Sequence, residues 1–200
     1  MYPTVTSIHT ALDSLRGIMS QHGLRHADIA SVEVGCGHMT HVHTAWPYRP
    51  EGITSAQMNL FFGLGLIATG GSVGAGDFTE ARLRDPLILD FIRRVSAHED
   101  AELEAMGPEY RHACRMVVTT RDGRRLPHEE LRRRGSPENP VTFAELEAKF
   151  RANLAGLLSE GEMRTVVDAV GDFETLRDVG PVVAVLSKPR PHAPSRRDAA

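Results

Sequence analysis

The chain opens with Met1-Tyr-Pro-Thr-Val-Thr-Ser-Ile-His9-Thr-Ala-Leu-Asp13 and runs on to Gly23. Apolar residues recur in this stretch at three- and four-residue spacing, which predicts an amphipathic helix. They are Ile8, Ala11, Leu12, Leu15, Ile18 and Met19. Thr6 and Ser7 can cap the first turn, and Gly23 can take the left-handed conformation that ends a helix. We expect the rest of the fold to be organised around this helix.

His9 and Asp13 are one turn apart on the predicted helix, beside its apolar face. At this spacing a carboxylate can orient an imidazole for acid–base chemistry. The pattern favours a solvated surface pair and leaves the acid–base pair open.

Composition narrows the class of protein. The chain has 200 residues, 41% of them hydrophobic, and a formal net charge of −3. This charge gives no basic field for a phosphate backbone, so we expect no nucleic-acid partner. No apolar stretch is long enough to span a bilayer, so we expect no membrane partner. Two cysteines, Cys36 and Cys114, make neither a disulfide framework nor an iron–sulfur site, so we expect a cytoplasmic protein.

Local patterns predict an α+β fold, with a small antiparallel sheet, packed helices and a C-terminal helical hairpin. Residues 30–43 alternate as a strand does. Residues 58–68 are apolar on nearly every side, which predicts a buried helix. Asp85-Pro86 begins a further helix whose apolar stripe runs to Val95. Asp122-Gly123 suits a two-residue hairpin turn between two strands.

A change in composition divides the chain. We predict an α+β domain over residues 1–131 and a linker over residues 132–141, which is rich in Arg, Gly, Pro and Asn. Two capping boxes, Thr142–Glu145 and Ser159–Glu162, begin the C-terminal helices of residues 142–187. We expect residues 188–200 to be a disordered tail.

Ten histidines stand out in the composition, and His38, His41 and His43 are the tightest group. His41 and His43 would share one face of the predicted strand, a spacing at which two imidazoles can bind one metal ion. Spacing alone names no third ligand, so the pattern favours a structural role and leaves a metal site as the weaker alternative.

The loop of residues 46–52 carries a second candidate site. Tyr48 offers a phenol and Arg49 a guanidinium suited to carboxylates. Phosphate-binding and dinucleotide-binding glycine motifs are absent from the sequence, as is the nucleophile elbow of α/β-hydrolases. Taken alone, Tyr48 and Arg49 read as ordinary loop residues.

Five motifs follow one another in a familiar order. They are Tyr2-Pro3 with His9-Thr-Ala-Leu-Asp13, Pro50 with Thr54-Ser-Ala-Gln57, Asp85-Pro86, Asp122-Gly123, and Lys149-Phe-Arg-Ala-Asn153. Their order and spacing resemble the C-terminal part of the MmgE/PrpD family, which includes 2-methylcitrate dehydratase, cis-aconitate decarboxylase and iminodisuccinate epimerase. The resemblance covers about residues 2–187.

The resemblance implies a two-part enzyme, in which a lid domain and C-terminal helices join a large helical domain from the N-terminal half. Such an enzyme works without metal or cofactor, abstracting a proton next to a carboxylate of a di- or tricarboxylic acid. His9 follows the Tyr-Pro pair as the family's histidine does, and Tyr48 lies in the lid loop. We therefore expect both to be catalytic, with Arg49 binding substrate.

Two positions differ from the family pattern. Its lysine, two residues before the Tyr/Phe, would lie just upstream of Met1, and its decarboxylases have histidine in place of Val5. The first hypothesis is therefore a dehydratase-like lyase or isomerase that needs an N-terminal helical-domain polypeptide, or a second copy in a homodimer. The alternatives are a non-catalytic binding or remnant protein that keeps the lid fold, and a metal-dependent enzyme that uses His38, His41 and His43.

Overall fold

The computed structural model describes residues 1–71 and 73–188. The predicted first helix is confirmed: α1 spans His9–His22 and ends at Gly23, whose φ of 61° is left-handed. Thr6 and Ser7 do not cap it, because a 3-10 turn over Thr6–Ile8 leads directly into α1. The apolar face of α1 is buried in the main hydrophobic core.

The α+β class is confirmed, and the sheet has four strands in the order β2-β1-β3-β4. Their bounds are Ile29–Cys36 for β1, Val95–Glu99 for β2, Cys114–Thr120 for β3 and Arg125–Glu130 for β4. Strand β1 pairs antiparallel with β3, and β3 with β4. The β1–β2 pair is parallel, so the sheet is mixed rather than wholly antiparallel.

The predicted hairpin between β3 and β4 is present, but its turn is longer than the predicted two residues. The Thr120 amide donates to Arg124 O at 2.9 Å, so residues 121–123 form the connection. Gly123 has a φ of 86°, a left-handed conformation that suits the last position of a three-residue hairpin loop.

Strand prediction for residues 37–43 was wrong. Strand β1 ends at Cys36, and helix α2 spans His38–Thr44. One threonine holds the helix against its neighbours, since Thr40 Oγ1 donates to Arg111 O at 2.9 Å, and a second bonds within the helix, from Thr44 Oγ1 to Thr40 O at 2.6 Å. The contact with Arg111 is set by tertiary structure, so the local alternation of the sequence did not reveal it.

The apolar segment after the proline loop forms two helices, α3 over Ile53–Met58 and α4 over Leu60–Gly70. Asn59 separates them and caps α4, since its side chain accepts from the Phe62 amide at 3.0 Å. Helix α4 is buried along almost its whole length, as predicted. A Cβ at Gly65 would lie 2.8 Å from Ile88 Cγ2, so this glycine permits close helix packing.

Three more helices complete the first part of the chain: α5 over Glu80–Leu83, α6 over Pro86–Ile92 and α7 over Ala101–Ala105. Asp85 caps α6 and Pro86 is its first residue, as predicted. The helix ends before Val95, however, which begins edge strand β2. A 3-10 turn over Pro108–Tyr110 leads to β3.

The chain divides into two compact units, Met1–Val141 and a second that begins at Thr142. The second contains α8 over Phe143–Leu154, α9 over Glu160–Gly171 and α10 over Gly180–Leu186. Both predicted capping boxes are present. The division into a lid domain, a linker and C-terminal helices stays a prediction. Of the predicted disordered tail, Lys188 contacts Glu162, and residues 189–200 lie outside the described residues.

Within the described ranges, none of the helices combines the length and the apolar character needed to cross a membrane.

Candidate functional site

Helix α3 fixes the segment that precedes α1. The Gln57 side chain donates from Nε2 to Pro3 O at 2.9 Å, and Gln57 O accepts from the Val5 amide at 3.0 Å. Two hydrogen bonds to one residue hold an otherwise irregular segment in a single position. The motifs around Pro3 and Gln57, distant in sequence, therefore form one structural unit.

Tyr2, Asp13 and Arg16 form a polar network beside α1. The Tyr2 hydroxyl donates to Asp13 Oδ1 at 2.6 Å, and Arg16 Nη2 donates to the same oxygen at 2.7 Å. The Arg16 guanidinium also lies 5.5 Å from the centroid of the Tyr2 ring. Burial, and then the Asp13 carboxylate, raise the pKa of Tyr2 far above its ordinary value. Tyr2 is therefore a protonated hydrogen-bond donor at neutral pH.

His9 lies behind this network at the first position of α1. Its side chain is only 5% exposed, and its ring meets the Tyr2 ring edge to face at 5.3 Å between centroids. The expectation of a solvated His9–Asp13 surface pair was wrong. Tyr2 covers the histidine, and Asp13 Oδ1 bonds to Tyr2 and Arg16.

A polar cavity of about 490 Å³ opens beside the network. Two carboxylates and two guanidiniums face it, from Asp13, Glu130, Arg16 and Arg134. Its charges are therefore balanced, and Arg134 Nη1 already donates to Asn139 Oδ1 at 3.0 Å. Asp13 and Arg16 belong both to the cavity wall and to the Tyr2 network, so the cavity borders that network.

Tyr48 lies at a different place on the same hydrophobic core. Its ring stacks on Phe62 with centroids 4.8 Å apart, and its hydroxyl donates to Leu83 O at 3.1 Å. Burial raises the pKa of Tyr48 to about 12. The phenol is thus protonated at neutral pH and can donate a hydrogen bond but not act as a base. It lines a surface cavity of about 300 Å³.

Arg49 points into solvent next to Tyr48. Its side chain is 78% exposed, and its Nη1 lies 4.0 Å from Glu51 Oε1. A loose ion pair between exposed groups holds a side chain weakly. The guanidinium can therefore turn toward an anion without losing a strong contact.

The three predicted site residues are not joined by direct contacts. His9 packs on Tyr2, Tyr48 packs on Phe62, and Arg49 reaches Glu51. Within the described residues, the three side chains therefore do not converge on one point. An active site that used all three would have to span the surface between the start of α1 and the loop of residues 46–52.

The prediction that His41 and His43 share one face of a strand was wrong, because both residues are on helix α2. The structure instead pairs His38 with His41: their Nδ1 atoms lie 3.0 Å and 3.5 Å from Glu99 Oε1. The first of these contacts is the main cause that lowers the pKa of Glu99. Across residues 1–71 and 73–188, no group of three or more His, Cys, Asp or Glu side chains is arranged to hold a metal ion.

Sequence reasoning missed Tyr2 and Arg16 as parts of the site. The three-residue spacing of Asp13 and Arg16 on a helix was a usable signal for their ion pair. The position of Tyr2 was not, because its contact with Asp13 depends on how Gln57 holds the preceding segment.

Comparison with known proteins identifies the class of protein. The family model of the MmgE/PrpD C-terminal domain matches residues 2–172, and the chain therefore belongs to the MmgE/PrpD family. It is similar to human cis-aconitate decarboxylase, with 25% identity over 122 residues. That alignment covers 60% of this chain and 25% of the human protein, so the chain spans about a quarter of its relative's length.

Proposed function

We propose that this chain forms part of a dehydratase-like lyase or isomerase that removes a proton next to a carboxylate of a di- or tricarboxylic acid. The proposal rests on the family match over residues 2–172. The similarity to human cis-aconitate decarboxylase supports it, since that relative is named for lyase chemistry on a carboxylic acid.

In this proposal His9 transfers the proton. Its burial behind Tyr2 supports the role, because a covered imidazole is shielded from bulk water until the covering side chain moves. Tyr48 donates a hydrogen bond to the negative charge that develops on the substrate, for which its hydroxyl exchanges the bond to Leu83 O for one to the substrate. Its raised pKa keeps it protonated for this task. Arg49 binds a substrate carboxylate. The reaction uses no cofactor.

The remainder of the site would come from a helical-domain polypeptide or from a second copy of the chain. Exposed apolar residues of the second unit support a partner, since large exposed apolar patches mark interfaces. They include Phe143, Leu146, Leu157, Val170 and Phe173.

The test is proton exchange in D₂O. The chain is mixed with the N-terminal helical domain of a family member, and a panel of di- and tricarboxylates is followed by NMR. His9→Ala should lower turnover by about 100-fold or more, the usual contribution of a positioned acid–base group. His22→Ala is the matched control, because His22 is an exposed histidine at the other end of the same helix.

Circular dichroism establishes that both variants fold before rates are compared. Turnover that His9→Ala leaves unchanged would remove His9 from the site. Saturable binding of a carboxylate without any proton exchange would favour a non-catalytic binding protein.

A further inference from the structure

A third cavity, whose lining residues are remote in sequence from His9 and Tyr48, is lined by an arginine cluster. It has a volume of about 260 Å³ and lies between residues 108–112 and residues 131–138. Arg111, Arg132 and Arg133 all line it, together with His112. Two carboxylates, Glu109 and Glu138, also line it, so the guanidiniums exceed the carboxylates by one.

The carboxylates on the wall do not neutralise the whole cluster. Arg132 is occupied: it lies 3.5 Å from Glu109 Oε2 and stacks 4.1 Å from the Tyr110 ring centroid. Ser136 and the local backbone are the main causes that lower the pKa of Glu138, and the charges of Arg132 and Arg133 lower it further. Arg111 and Arg133 have no carboxylate partner within ion-pair distance among the residues described.

The positive charge of the cluster affects the neighbouring imidazole of His112. Burial, then the charges of Arg111 and Arg133, lower its pKa. Its Nε2 accepts from Arg111 Nε at 3.2 Å, and its buried Nδ1 has no hydrogen-bond partner in the described part of the chain. An imidazole that is neutral and accepts at Nε2 carries its proton on Nδ1. The Nδ1 proton is buried, so the groups that the wall offers to an anion are the guanidiniums of Arg111 and Arg133, neither of which has a carboxylate partner among the described residues.

Hydrogen bonds hold the backbone on both sides of the cavity, from helices α1 and α2 on one side and within the local segment on the other. Thr40 Oγ1 donates to Arg111 O at 2.9 Å, and Thr10 Oγ1 to His112 O at 2.5 Å. On the other side, the Ser136 amide donates to Arg133 O at 3.1 Å. Because the backbone at both arginines is already held, binding of a ligand between them has to order only their side chains.

We propose that this cavity binds a small anion bearing a carboxylate or phosphate group, held between the guanidinium groups of Arg111 and Arg133. Guanidinium forks match the oxygens of both groups. The cavity is smaller than sites for drug-sized ligands, which fits a compact anion. The proposal does not depend on the catalytic roles of His9 and Tyr48.

Calorimetric titration of the full chain with citrate and, separately, with inorganic phosphate tests the proposal. We expect saturable binding of at least one anion with a Kd of about 1 mM or tighter at about 0.15 M salt. Arg111→Gln and Arg133→Gln should each weaken it about tenfold, since each removes a charge-assisted hydrogen bond. Arg25→Gln, which neutralises an arginine with an 82% exposed side chain, is the control and should leave it unchanged.

Tighter binding of citrate assigns the site to carboxylates, and tighter binding of phosphate assigns it to phosphates. Either result supports the proposal. No saturation up to about 10 mM of both anions would overturn it, as would equal weakening by Arg25→Gln.

A second measurement needs no variant. NMR titration of His112 in the wild-type chain should show its pKa rise when the anion is added, because a nearby negative charge favours the imidazolium. A His112 pKa that a saturating anion leaves unmoved would overturn the proposal.

Discussion

Helix α4 of the first unit and helix α8 of the second have almost the same length but opposite surroundings. Helix α4 has eight buried residues over Leu60–Gly70, whereas α8 has none over Phe143–Leu154. Apolar residues on α8 remain exposed, among them Phe143 at 48% and Leu146 at 47%. The two helices therefore depend on different interactions for their stability.

The contrast extends to the two units. Among described residues, the core of the first unit has 25 buried members and that of the second has four: Leu158, Met163, Val166 and Val185. Since burial of apolar surface supplies most of the stability of a fold, the first unit is stabilised by its own core. The second depends more on its capping boxes and presents apolar side chains that a partner could cover.

Matched truncations of one leucine in each unit test the comparison with the largest expected effect. Leu12→Ala should lower the free energy of unfolding of the first unit by about 3–5 kcal/mol, because Leu12 is fully buried. Leu158→Ala should cost the second unit about 2 kcal/mol or less, because its small core can relax. Urea unfolding is followed by fluorescence of Trp46, the single tryptophan, for the first unit and by NMR for the second. Equal costs would contradict the comparison.

Close packing around α4 predicts the next largest effect. Gly65→Ala should destabilise the first unit by about 1–3 kcal/mol, because its Cβ would meet Ile88 and Ile92 side chains at 2.8 Å and 3.0 Å. Gly17→Ala on α1 is the control, since nothing lies within 4 Å of its Cβ. The control should gain about 0.5–1 kcal/mol from helix propensity. Thermal unfolding measures both, and a stabilised Gly65→Ala variant would show that α4 is loosely packed.

The smallest effect is expected at a helix cap of the second unit. Ser159 accepts from the Glu162 amide at 3.3 Å, and Glu162 accepts from the Ser159 amide at 2.8 Å. Ser159→Ala should cost about 1 kcal/mol and increase hydrogen exchange in α9 alone. Ser20→Ala, at an exposed position inside α1, is the control and should change stability by less than about 0.5 kcal/mol. Exchange that rises equally in β1 would mean that the two units unfold together.

The elements predicted correctly are those that carry their own local signals. Gly23 ended α1, Asp85-Pro86 began α6, and Thr142 and Ser159 began α8 and α9. In each case the signal is a backbone conformation or a hydrogen bond within a few residues. Such interactions are fixed by sequence neighbours, so sequence alone reveals them.

The elements that were missed depend on distant partners. Helix α2 was taken for a strand because its contacts with Arg111 come from 71 residues further along the chain. Strand β2 was missed because it is a short edge strand that pairs only with β1 in the described structure. The candidate site shows the same dependence on distant partners. His9 was predicted as a site residue from its place after the Tyr-Pro pair. Its burial could not be predicted, because it depends on contact with Tyr2 and on the hydrogen bond from Gln57 to Pro3 O.

Native-state hydrogen exchange across the whole chain tests the difference between the units most directly. The account predicts that amides of α4 and β1 exchange only through global unfolding, whereas those of α8 and α9 exchange through local opening at a free energy lower by about 3 kcal/mol or more. A helical-domain partner should slow exchange in α8 and α9 and leave α4 unchanged. Amides of α8 and α9 as protected as those of β1 in the chain alone would contradict the account.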